Sequence, residues 1–272
     1  MREGVAPRQA WGLASMRSVG VAEQVTAIVK TFERPRSLDR LVRSIRRRYP
    51  RLRVIVGDDS MTPYPRTDVD YVRLPVDIGV AAGRNALLEL VETPYFLTLD
   101  DDFAFTAETQ IELLLETLQR HDADLVAGDL IDCEQRFKMW VSRRRQVYHG
   151  VMRRDGDTLR MIPGHAGSRG EAFECDLTPQ FFLARTDLFR EIGGWFAPLK
   201  SDDREELFLR LKERGCRVLH RPDVSAEHWQ ESPLVYAAFR ARDYAPLVAS
   251  RHGLRLITDL DGNEREFPLA VA

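Results

Sequence analysis

Tyr95-Phe-Leu-Thr-Leu-Asp-Asp-Asp-Phe103 joins an apolar run to three consecutive carboxylates. The run over 95–99 is typical of a buried strand, and Asp100, Asp101 and Asp102 follow it directly. Open α/β sheets bind ligands at the carboxyl ends of their strands, and crowded carboxylates repel one another unless a cation or protons neutralise them. The stretch therefore predicts either a site for a hard divalent ion or a polar strand end with an Asp helix cap.

Strand and helix patterns alternate on both sides of this stretch. Runs rich in β-branched residues over 25–29 and 52–56 predict strands, and Ser37 is the expected N-cap of a helix that ends near Arg48. Further strands are predicted at 69–74, 125–128, 181–184 and 217–220, and further helices from 79, at 106–119, from 186 and at 203–214. The alternation predicts an α/β fold, a single Rossmann-like domain with a mostly parallel central sheet flanked by helices.

Composition excludes several classes of protein. The 272 residues are 44% hydrophobic and 30% charged with a formal net charge of −2, which is ordinary for a globular chain and argues against a nucleic-acid partner. Cys133, Cys175 and Cys216 form neither a disulfide framework nor a zinc pattern, so a reducing compartment is expected. No apolar stretch is long enough for a transmembrane segment, and a cytoplasmic location is expected.

The pattern weakens between residues 129 and 176. This part carries Arg143-Arg-Arg145 and the Gly-rich run 163–170. It is interpreted either as a mobile loop over a site or as an irregular insertion. Residues 1–24 mix Arg, Gly, Pro and Ala without an apolar core and are expected to form a loose N-terminal tail.

Chemistry-bearing residues follow three of the predicted parallel strands. The first strand leads into Lys30-Thr-Phe-Glu-Arg34, the second into Asp58-Asp-Ser60, and the third into Asp100-Asp-Asp102. Between them, 77–85 opens a helix whose backbone N–H groups and Arg84 are suited to meet phosphate. The order of these segments predicts a nucleotide site at the edge of the sheet.

This order of motifs resembles the nucleotide-sugar-dependent glycosyltransferases of family 2, which have the GT-A fold. Within that family it is most similar to the β-1,4-N-acetylgalactosaminyltransferases that build gangliosides. The segments that carry the narrower likeness are Thr31-Phe32, Ser44-Ile-Arg-Arg47, Asp58-Asp-Ser60, Ala82-Gly-Arg-Asn85, Asp100-Asp-Asp-Phe103 and Phe181-Phe-Leu-Ala-Arg-Thr-Asp187. The resemblance covers about 25–229, without the membrane anchor and stem of those animal enzymes, so a soluble bacterial relative is expected.

The resemblance implies a set of nucleotide and metal contacts. The residues expected on the nucleotide are Thr31, Arg34, Asp59, Gly83, Arg84, Asn85, Asp100 and Asp101. Mn²⁺ or Mg²⁺ is the expected cofactor, held by Asp102 and by His228, because relatives use a His after a late strand as a metal ligand. Asp100 contacts the cation through water or bonds the ribose, and the side chain of Asp101 is expected to point elsewhere. A lone His is more often structural, which is the alternative for His228.

The segment 200–211 follows Gly193-Gly-Trp195 and is similar to the acidic helix start of the family. An inverting transfer needs a carboxylate that removes the acceptor proton, and Glu205 is the first candidate, with Asp203 second. Glu206 is expected to orient the site or cap the helix, although the helix dipole alone favours acids at this position.

Three further residues are expected to contact the donor or acceptor sugar. Trp195 either stacks on a sugar face or packs under the Gly-Gly turn. Asp176 and Gln180 precede the predicted strand at 181, where relatives place groups that contact the sugars.

The implied function is metal-dependent, inverting transfer of an N-acetylhexosamine or hexose from a UDP-sugar to a hydroxyl or amine of a small-molecule, glycan or natural-product acceptor. The implied division is a nucleotide-sugar-binding half at 25–128, an acceptor and catalytic half at 129–230, and a C-terminal extension at 231–272 that packs on the domain. Two alternatives stay open, a nucleotidyltransferase that makes the nucleotide sugar and a catalytically silent sugar- or partner-binding module on the same fold.

Overall fold

A computed structural model describes residues 20–136, 140–201, 203–231 and 233–268. Most of the expected N-terminal tail, residues 1–19, lies outside the described residues. The helices are α1 (Val21–Gln24), α2 (Pro35–Arg48), α3 (Val80–Leu88), α4 (Ile111–Arg120), α5 (Thr186–Glu191), α6 (Arg204–Glu213), α7 (Leu234–Arg240) and α8 (Ala245–His252).

The strands belong to two sheets. They are β1 (Val25–Thr31), β2 (Arg53–Asp58), β3 (Asp70–Arg73), β4 (Tyr95–Asp100), β5 (Phe103–Ala104), β6 (Leu125–Arg136), β7 (Trp140–Arg145), β8 (Gly150–Asp155), β9 (Thr158–Pro163), β10 (Gly167–Arg169), β11 (Ala172–Glu174), β12 (Phe182–Arg185), β13 (Val218–His228), β14 (Leu256–Thr258) and β15 (Glu264–Glu266).

The main sheet has the order β10-β11-β13-β6-β12-β4-β1-β2-β3, with β5 on β13 and β7 on β6. The strands β4, β1, β2 and β3 are parallel, as predicted for this half of the chain. Beyond β4 the sheet is mixed, because β12 runs antiparallel to both of its neighbours, β4 and β6. The long pair β6 and β13 is parallel again, so parallel pairing continues beyond the nucleotide-side half.

Apolar layers cover both faces of this sheet. On one face Val29 and Leu99 pack with Leu38 of α2 and Leu114 of α4. The opposite face joins Ile28 and Phe96 to Leu87 of α3, Phe189 of α5 and Phe208 of α6. The alternation of Ile28 and Val29 between the two layers follows the period of a strand. Helices on both faces confirm the predicted α/β class.

Two predicted helix starts are displaced in the structure. α2 begins at Pro35 rather than after Ser37, because proline is favoured at the first helical position. The Ser37 hydroxyl is buried inside the helix and donates to Glu231 at 3.1 Å. α4 begins at Ile111, five residues after the predicted Thr106, whose N–H donates to the Thr109 hydroxyl at 2.9 Å in a turn before the helix.

Strands fill most of the segment 129–176, so its interpretation as an irregular insertion is wrong. β6 and β7 pair in one antiparallel ribbon, and β8 and β9 form a hairpin. Every residue of β7 is exposed, so the sequence shows no alternating pattern there. That this segment moves over a site stays a prediction.

The C-terminal residues complete the second sheet, which has the order β15-β14-β9-β8. Val248, Leu254 and Phe267 are buried in the same apolar layer as Phe208. Arg242 donates to Asp77 at 2.8 Å, which links this segment to the loop before α3. None of the helices in the described ranges is long and apolar enough to cross a bilayer.

Candidate functional site

A cleft of about 280 Å³ opens at the carboxyl ends of β1 and β4. The predicted site residues that line it are Arg34, Arg84, Asp100, Asp102, Gln180, Asp203, Glu205 and His228. Five residues that were not predicted as contacts also line it, namely Lys30, Phe32, Val80, Arg204 and Tyr236. The strand-end acids, the helix-start acids and the late His therefore meet in one place.

Arg84 joins the two acidic groups of the cleft. Its guanidinium donates to Asp203 at 2.8 Å and to Asp100 at 2.5 Å, and the side chain is almost fully buried. Burial raises the pKa of Asp203, while the charge of Arg84 opposes that rise. One buried cation thus holds β4 and the start of α6 in fixed register.

Asp101 turns away from the cleft. It is fully buried, accepts a hydrogen bond from the Thr31 hydroxyl at 2.6 Å and pairs with Arg34. Burial raises the pKa of Asp101 to about 6, although the charge of Arg34 lowers it. Thr31 and Asp101 lie behind the cleft surface, and the structure does not bring them to a nucleotide-facing position.

Asp102 and His228 face each other across the cleft. His228 Nε2 lies 3.7 Å from Asp102 Oδ2, and His228 Nδ1 lies 2.9 Å from Asp132 Oδ1. The Tyr148 hydroxyl is 2.9 Å from each oxygen of Asp132 and holds that carboxylate in place. Burial lowers the pKa of His228, but hydrogen bonds to Asp102 and Asp132 raise it to about 9. Conversely, burial raises the pKa of Asp102, but Arg34 and His228 lower it to about 2.

This arrangement fits a divalent cation. Asp102 Oδ1 is buried and has no hydrogen-bond partner among the described residues. A metal-binding His usually uses one ring nitrogen for the metal and the other for a carboxylate, and Asp132 occupies that second place on His228. Asp102 and His228 would hold the ion, with Asp100 on the same wall. A mixed set of carboxylate and imidazole suits Mn²⁺ better than the oxygen-preferring Mg²⁺.

Asp59 is buried beneath the cleft. Lys30, rather than Asp59, faces the cleft at this position. Asp59 Oδ2 accepts the Gly79 N–H at 3.1 Å, and its other oxygen pairs with Lys30. Burial lowers the pKa of Lys30, while Asp59 opposes that effect. Asp59 therefore positions Lys30 and the loop before α3, and the structure does not place its carboxylate on the cleft surface.

Gly79 lets the start of α3 touch the segment before α6. Its φ of +92° lies in the region that favours glycine, and a Cβ here would sit 2.6 Å from the Cα of Lys200. The Val80 N–H donates to the Lys200 carbonyl at 3.0 Å. This contact sets the position of α6 relative to the nucleotide side of the cleft.

Gly83 and Asn85 act in packing. A Cβ on Gly83 would lie 2.9 Å from Cγ of Lys30, so glycine allows α3 to approach β1. The Asn85 amide donates to the Trp195 carbonyl and accepts the Trp195 N–H, both at 2.8 Å. Asn85 thus holds the Gly-Gly turn and does not face the cleft.

The stacking role predicted for Trp195 is wrong, and its packing alternative is correct. The ring is 1% exposed and meets Phe96 edge-on with ring centroids 6.0 Å apart. A buried ring has no face to offer a sugar.

The acidic side chains at the start of α6 point in different directions. Glu205 faces the cleft and also an adjoining pocket of about 380 Å³ whose apolar wall includes Met161 and Phe267. Both hydrogen bonds from Arg204, at 3.0 and 2.7 Å, reach Glu205 Oε1.

Glu206 lies on the other side of α6, fully buried and 2.8 Å from Arg210 and 2.9 Å from Arg251. Arg210 also donates to the carbonyl of Gly194 at 2.7 Å. Burial raises the pKa of Glu206, but hydrogen bonds from His252 and Arg210 lower it to about 2. Glu206 is therefore an orienting residue beneath the site, which is one of the two roles predicted for it.

The two residues predicted to contact a sugar differ in location. Asp176 lies outside the cleft, where it accepts hydrogen bonds from the Met152 N–H at 2.8 Å and Lys212 Nζ at 2.7 Å. Gln180 lines the cleft and is 9% exposed. Neither its amide oxygen nor its nitrogen has a hydrogen-bond partner among the described residues, so both atoms are available to a ligand.

Only weak signals in the sequence point to the contacts that were not predicted. Lys30 stands at the end of β1 inside a segment already singled out, and Arg204 lies between the predicted acids. Tyr236 comes from α7, and its ring lies 4.0 Å from the Arg34 guanidinium. Asp132 lies within β6 beyond its predicted part, 125–128, and Tyr148 follows β7, for which no pattern predicted a strand.

A mixed sheet between two layers of helices, with an acidic cleft at the carboxyl ends of its strands, defines a fold of the GT-A type. The chain belongs to glycosyl transferase family 2, whose sequence pattern it matches over residues 26–192. The predicted family and fold are thereby confirmed.

Individual relatives show which members of the family this chain is similar to. The chain is 34% identical over 219 residues to Beta-1,4 N-acetylgalactosaminyltransferase 2 of Mus musculus, an alignment that covers 77% of this chain and 40% of that protein. It is 37% identical over 214 residues to Beta-1,4 N-acetylgalactosaminyltransferase 1 of Homo sapiens, covering 76% and 39%. The chain thus spans about two fifths of the length of these relatives.

Solved structures share the fold at low sequence identity. GalNAc-T7, crystallised with UDP, GalNAc and Mn²⁺, superposes with a TM-score of 0.60 at 14% identity and covers 77% of this chain and 45% of that one. S. aureus TarS 1-349 superposes with a TM-score of 0.56 at 16% identity and covers 79% and 63%.

Proposed function

We propose that this chain transfers a sugar from a UDP-sugar to an acceptor hydroxyl or amine, with inversion and with a divalent metal. The observation that carries the proposal is the Asp102–His228 pair, backed by Asp132, at the carboxyl end of β4. The relatives named as N-acetylgalactosaminyltransferases favour an N-acetylhexosamine donor. The solved neighbour that holds UDP, GalNAc and Mn²⁺ supports Mn²⁺ over Mg²⁺.

Positive side chains line the part of the cleft where the diphosphate would lie. Arg34, Lys30 and Arg84 all face it and are each held by a carboxylate, so they are in place before any ligand arrives. Such preorganised cations favour the charge that grows on a leaving diphosphate. A bound metal would add Lewis-acid stabilisation of the same charge.

Glu205 is the proposed base. The acceptor oxygen forms a bond to the anomeric carbon, the bond from that carbon to the diphosphate oxygen breaks, and UDP leaves with the electron pair. The acceptor proton passes to Glu205, whose Oε2 accepts no hydrogen bond from the described residues. Asp203 is the less favourable candidate, because its carboxylate is buried against Arg84.

A panel of UDP-sugars tests the proposal. Thermal stability is measured with each sugar in the presence of Mn²⁺, of Mg²⁺ or of a chelator, since a ligand that binds the native state raises the unfolding temperature. We expect stabilisation that needs the metal, and release of UDP when an acceptor is added. Release of pyrophosphate would instead show a nucleotidyltransferase, and binding without turnover of any acceptor in a broad panel would favour a silent module.

We also propose that the chain works in a reducing compartment such as a bacterial cytoplasm. No disulfide joins Cys133, Cys175 and Cys216 in the structure. Burial raises the pKa of the Cys133 and Cys175 thiols, which keeps them in the unreactive protonated form. Thiol titration of the protein unfolded in denaturant is expected to find three reduced cysteines, and a disulfide in protein purified without reductant from its native host would contradict this.

A further inference from the structure

Three histidines from separate parts of the chain meet outside the cleft. His149 immediately precedes β8, His165 follows β9, and His220 lies within β13. One ring nitrogen from each can be chosen such that the three atoms lie within 4.8 Å of one another. We call this group the histidine cluster. The proposed transfer reaction uses none of its members.

The ring nitrogens of the histidine cluster are poorly satisfied. His165 Nε2 and His220 Nδ1 lie 3.1 Å apart, but His220 Nε2 and His149 Nδ1 are buried without any hydrogen-bond partner among the described residues. The ring of His220 is fully buried. Buried polar atoms of this kind are rare in native proteins, because leaving them unpaired destabilises the fold.

The surroundings favour neutral imidazoles with a carboxylate nearby. Burial, together with the neighbouring rings, lowers the pKa of His149 to about 4 and also lowers the pKa of His165. Asp129 Oδ1 lies 3.7 Å from His220 Nε2, as a carboxylate close to a metal-binding His often does. Neutral imidazole is the form that binds a metal ion.

We propose that His149, His165 and His220 bind a second metal ion, of the zinc class, with a water molecule as the remaining ligand. Imidazole ligands suit Zn²⁺ and are a poor match for Mg²⁺. In a tetrahedral zinc site the nitrogen ligands lie roughly 3.3 Å apart. This distance is shorter than the 4.8 Å within which the ring nitrogens of the cluster lie. The ring of His149 is stacked on both other rings of the cluster, with centroids 4.3 Å from His165 and 4.1 Å from His220, so the rings of His149 and the exposed His165 must turn to bind.

The site is separate from the cleft. His220 and His228 pair with Ala127 and Asp132 on β6, and these partners are five positions apart, or roughly 16 Å along a strand. His149 lies just before the first strand of the β8–β9 hairpin and His165 lies just after the second, while His220 belongs to the main sheet. A metal here would tie the second sheet to the main sheet and stabilise the fold without entering the reaction.

The test uses tag-free protein carrying Asp102→Asn, which removes the carboxylate ligand proposed for the cleft. After treatment with a chelator, Zn²⁺ binding is measured by calorimetry and Co²⁺ binding by visible absorption. We expect one equivalent of Zn²⁺ and a higher unfolding temperature, with no such rise for Mn²⁺. Adding His165→Ala is expected to weaken zinc binding at least about 100-fold and abolish the stabilisation.

His121→Ala is the matched control, since His121 lies outside the cluster, and it is expected to change neither readout. His149→Asn provides a second test, and circular dichroism checks that each variant is folded. The proposal is overturned if the Asp102→Asn protein binds no zinc, or if folded His165→Ala and His149→Asn variants bind it as tightly as their parent. Because transfer activity is not measured, these results do not depend on the proposed function.

Discussion

Two groups of three carboxylates border the cleft, and they are neutralised differently. The strand-end group is Asp100, Asp101 and Asp102, and the helix-start group is Asp203, Glu205 and Glu206. Each group buries one member away from the cleft, Asp101 in the first and Glu206 in the second. Burial leaves the pKa of Asp101 raised to about 6, whereas basic partners lower that of Glu206 to about 2.

This difference shows where further positive charge is needed. Glu206 has two arginines and His252 around it, so its charge is already balanced. In the strand-end group, Arg34 is shared between Asp101 and Asp102, and Asp102 Oδ1 still has no partner among the described residues. The strand-end group is therefore the one that suits a cation, and the helix-start group is free to supply a base.

The largest expected effect comes from removing the carboxylate of Asp102, whose Oδ1 has no partner among the described residues. Asp102→Asn should abolish Mn²⁺-dependent UDP binding and lower turnover at least about 1,000-fold, because the cation loses its charged ligand. Calorimetry with UDP and Mn²⁺ measures the first effect. Asp187→Asn, at a carboxylate that is 98% exposed, is the control. Unchanged UDP affinity and turnover in Asp102→Asn would contradict the metal assignment.

In the helix-start group, Glu205→Gln should lower kcat about 100- to 10,000-fold, because no carboxylate then takes up the proton of the acceptor substrate. Donor affinity, measured by calorimetry, should be unchanged. The comparison is Asp203→Asn, which loses a buried partner of Arg84 and should affect stability as well as rate. If Glu205→Gln remains active while a folded Asp203→Asn is inactive, Asp203 is the base.

Glu206→Gln should act on stability. The folded-state pKa of about 2 lies below the ordinary value of 4.5, so the ionised form stabilises the fold at neutral pH by about 3 kcal/mol. As the pH falls below about 4.5 the unfolded chain takes up the proton first, and this contribution declines until it is lost near pH 2.

Denaturant unfolding of wild type and Glu206→Gln at several pH values measures this dependence. The difference in the free energy of unfolding should be greatest above pH 5 and should shrink steadily below pH 4.5. A difference that stays constant down to pH 3 would show that packing, rather than charge, makes Glu206 important.

The smallest effect is expected at Gln180, which lines the cleft together with members of both groups. Gln180→Leu removes two buried polar atoms that have no partner among the described residues, so stability should be unchanged or slightly higher. A lost ligand hydrogen bond should raise KM for donor or acceptor about tenfold or less. If KM is unchanged for both substrates, Gln180 does not contact a sugar.

The sequence predicted positions along the chain better than side-chain directions. The parallel strands β1, β2 and β4 and the acids that follow them were predictable, because buried strands read as apolar runs. Asp101 and Asp102 are adjacent, yet one is buried behind the cleft and the other faces it. Three identical letters do not distinguish them, and the expectation that Asp101 points elsewhere came from the resemblance to the family rather than from a local pattern.

Other errors have similar physical causes. Trp195 follows a Gly-Gly turn, and only its burial against Phe96 and Phe189 separates packing from sugar stacking. β7 is exposed along its whole length and shows no alternation. The partnership of Asp132 with His228 depends on strands 96 residues apart in sequence, which no local pattern contains.

The contact between Gly79 and Lys200 also limits how such enzymes can be recombined. Because a side chain at position 79 would collide with the backbone at 200, the two halves of the cleft cannot be exchanged as independent modules. A chimaera that takes residues 193–230 from another transferase must keep glycine at position 79 and the spacing from 200 to 205. Otherwise the grafted helix would carry its acid to the wrong depth in the cleft.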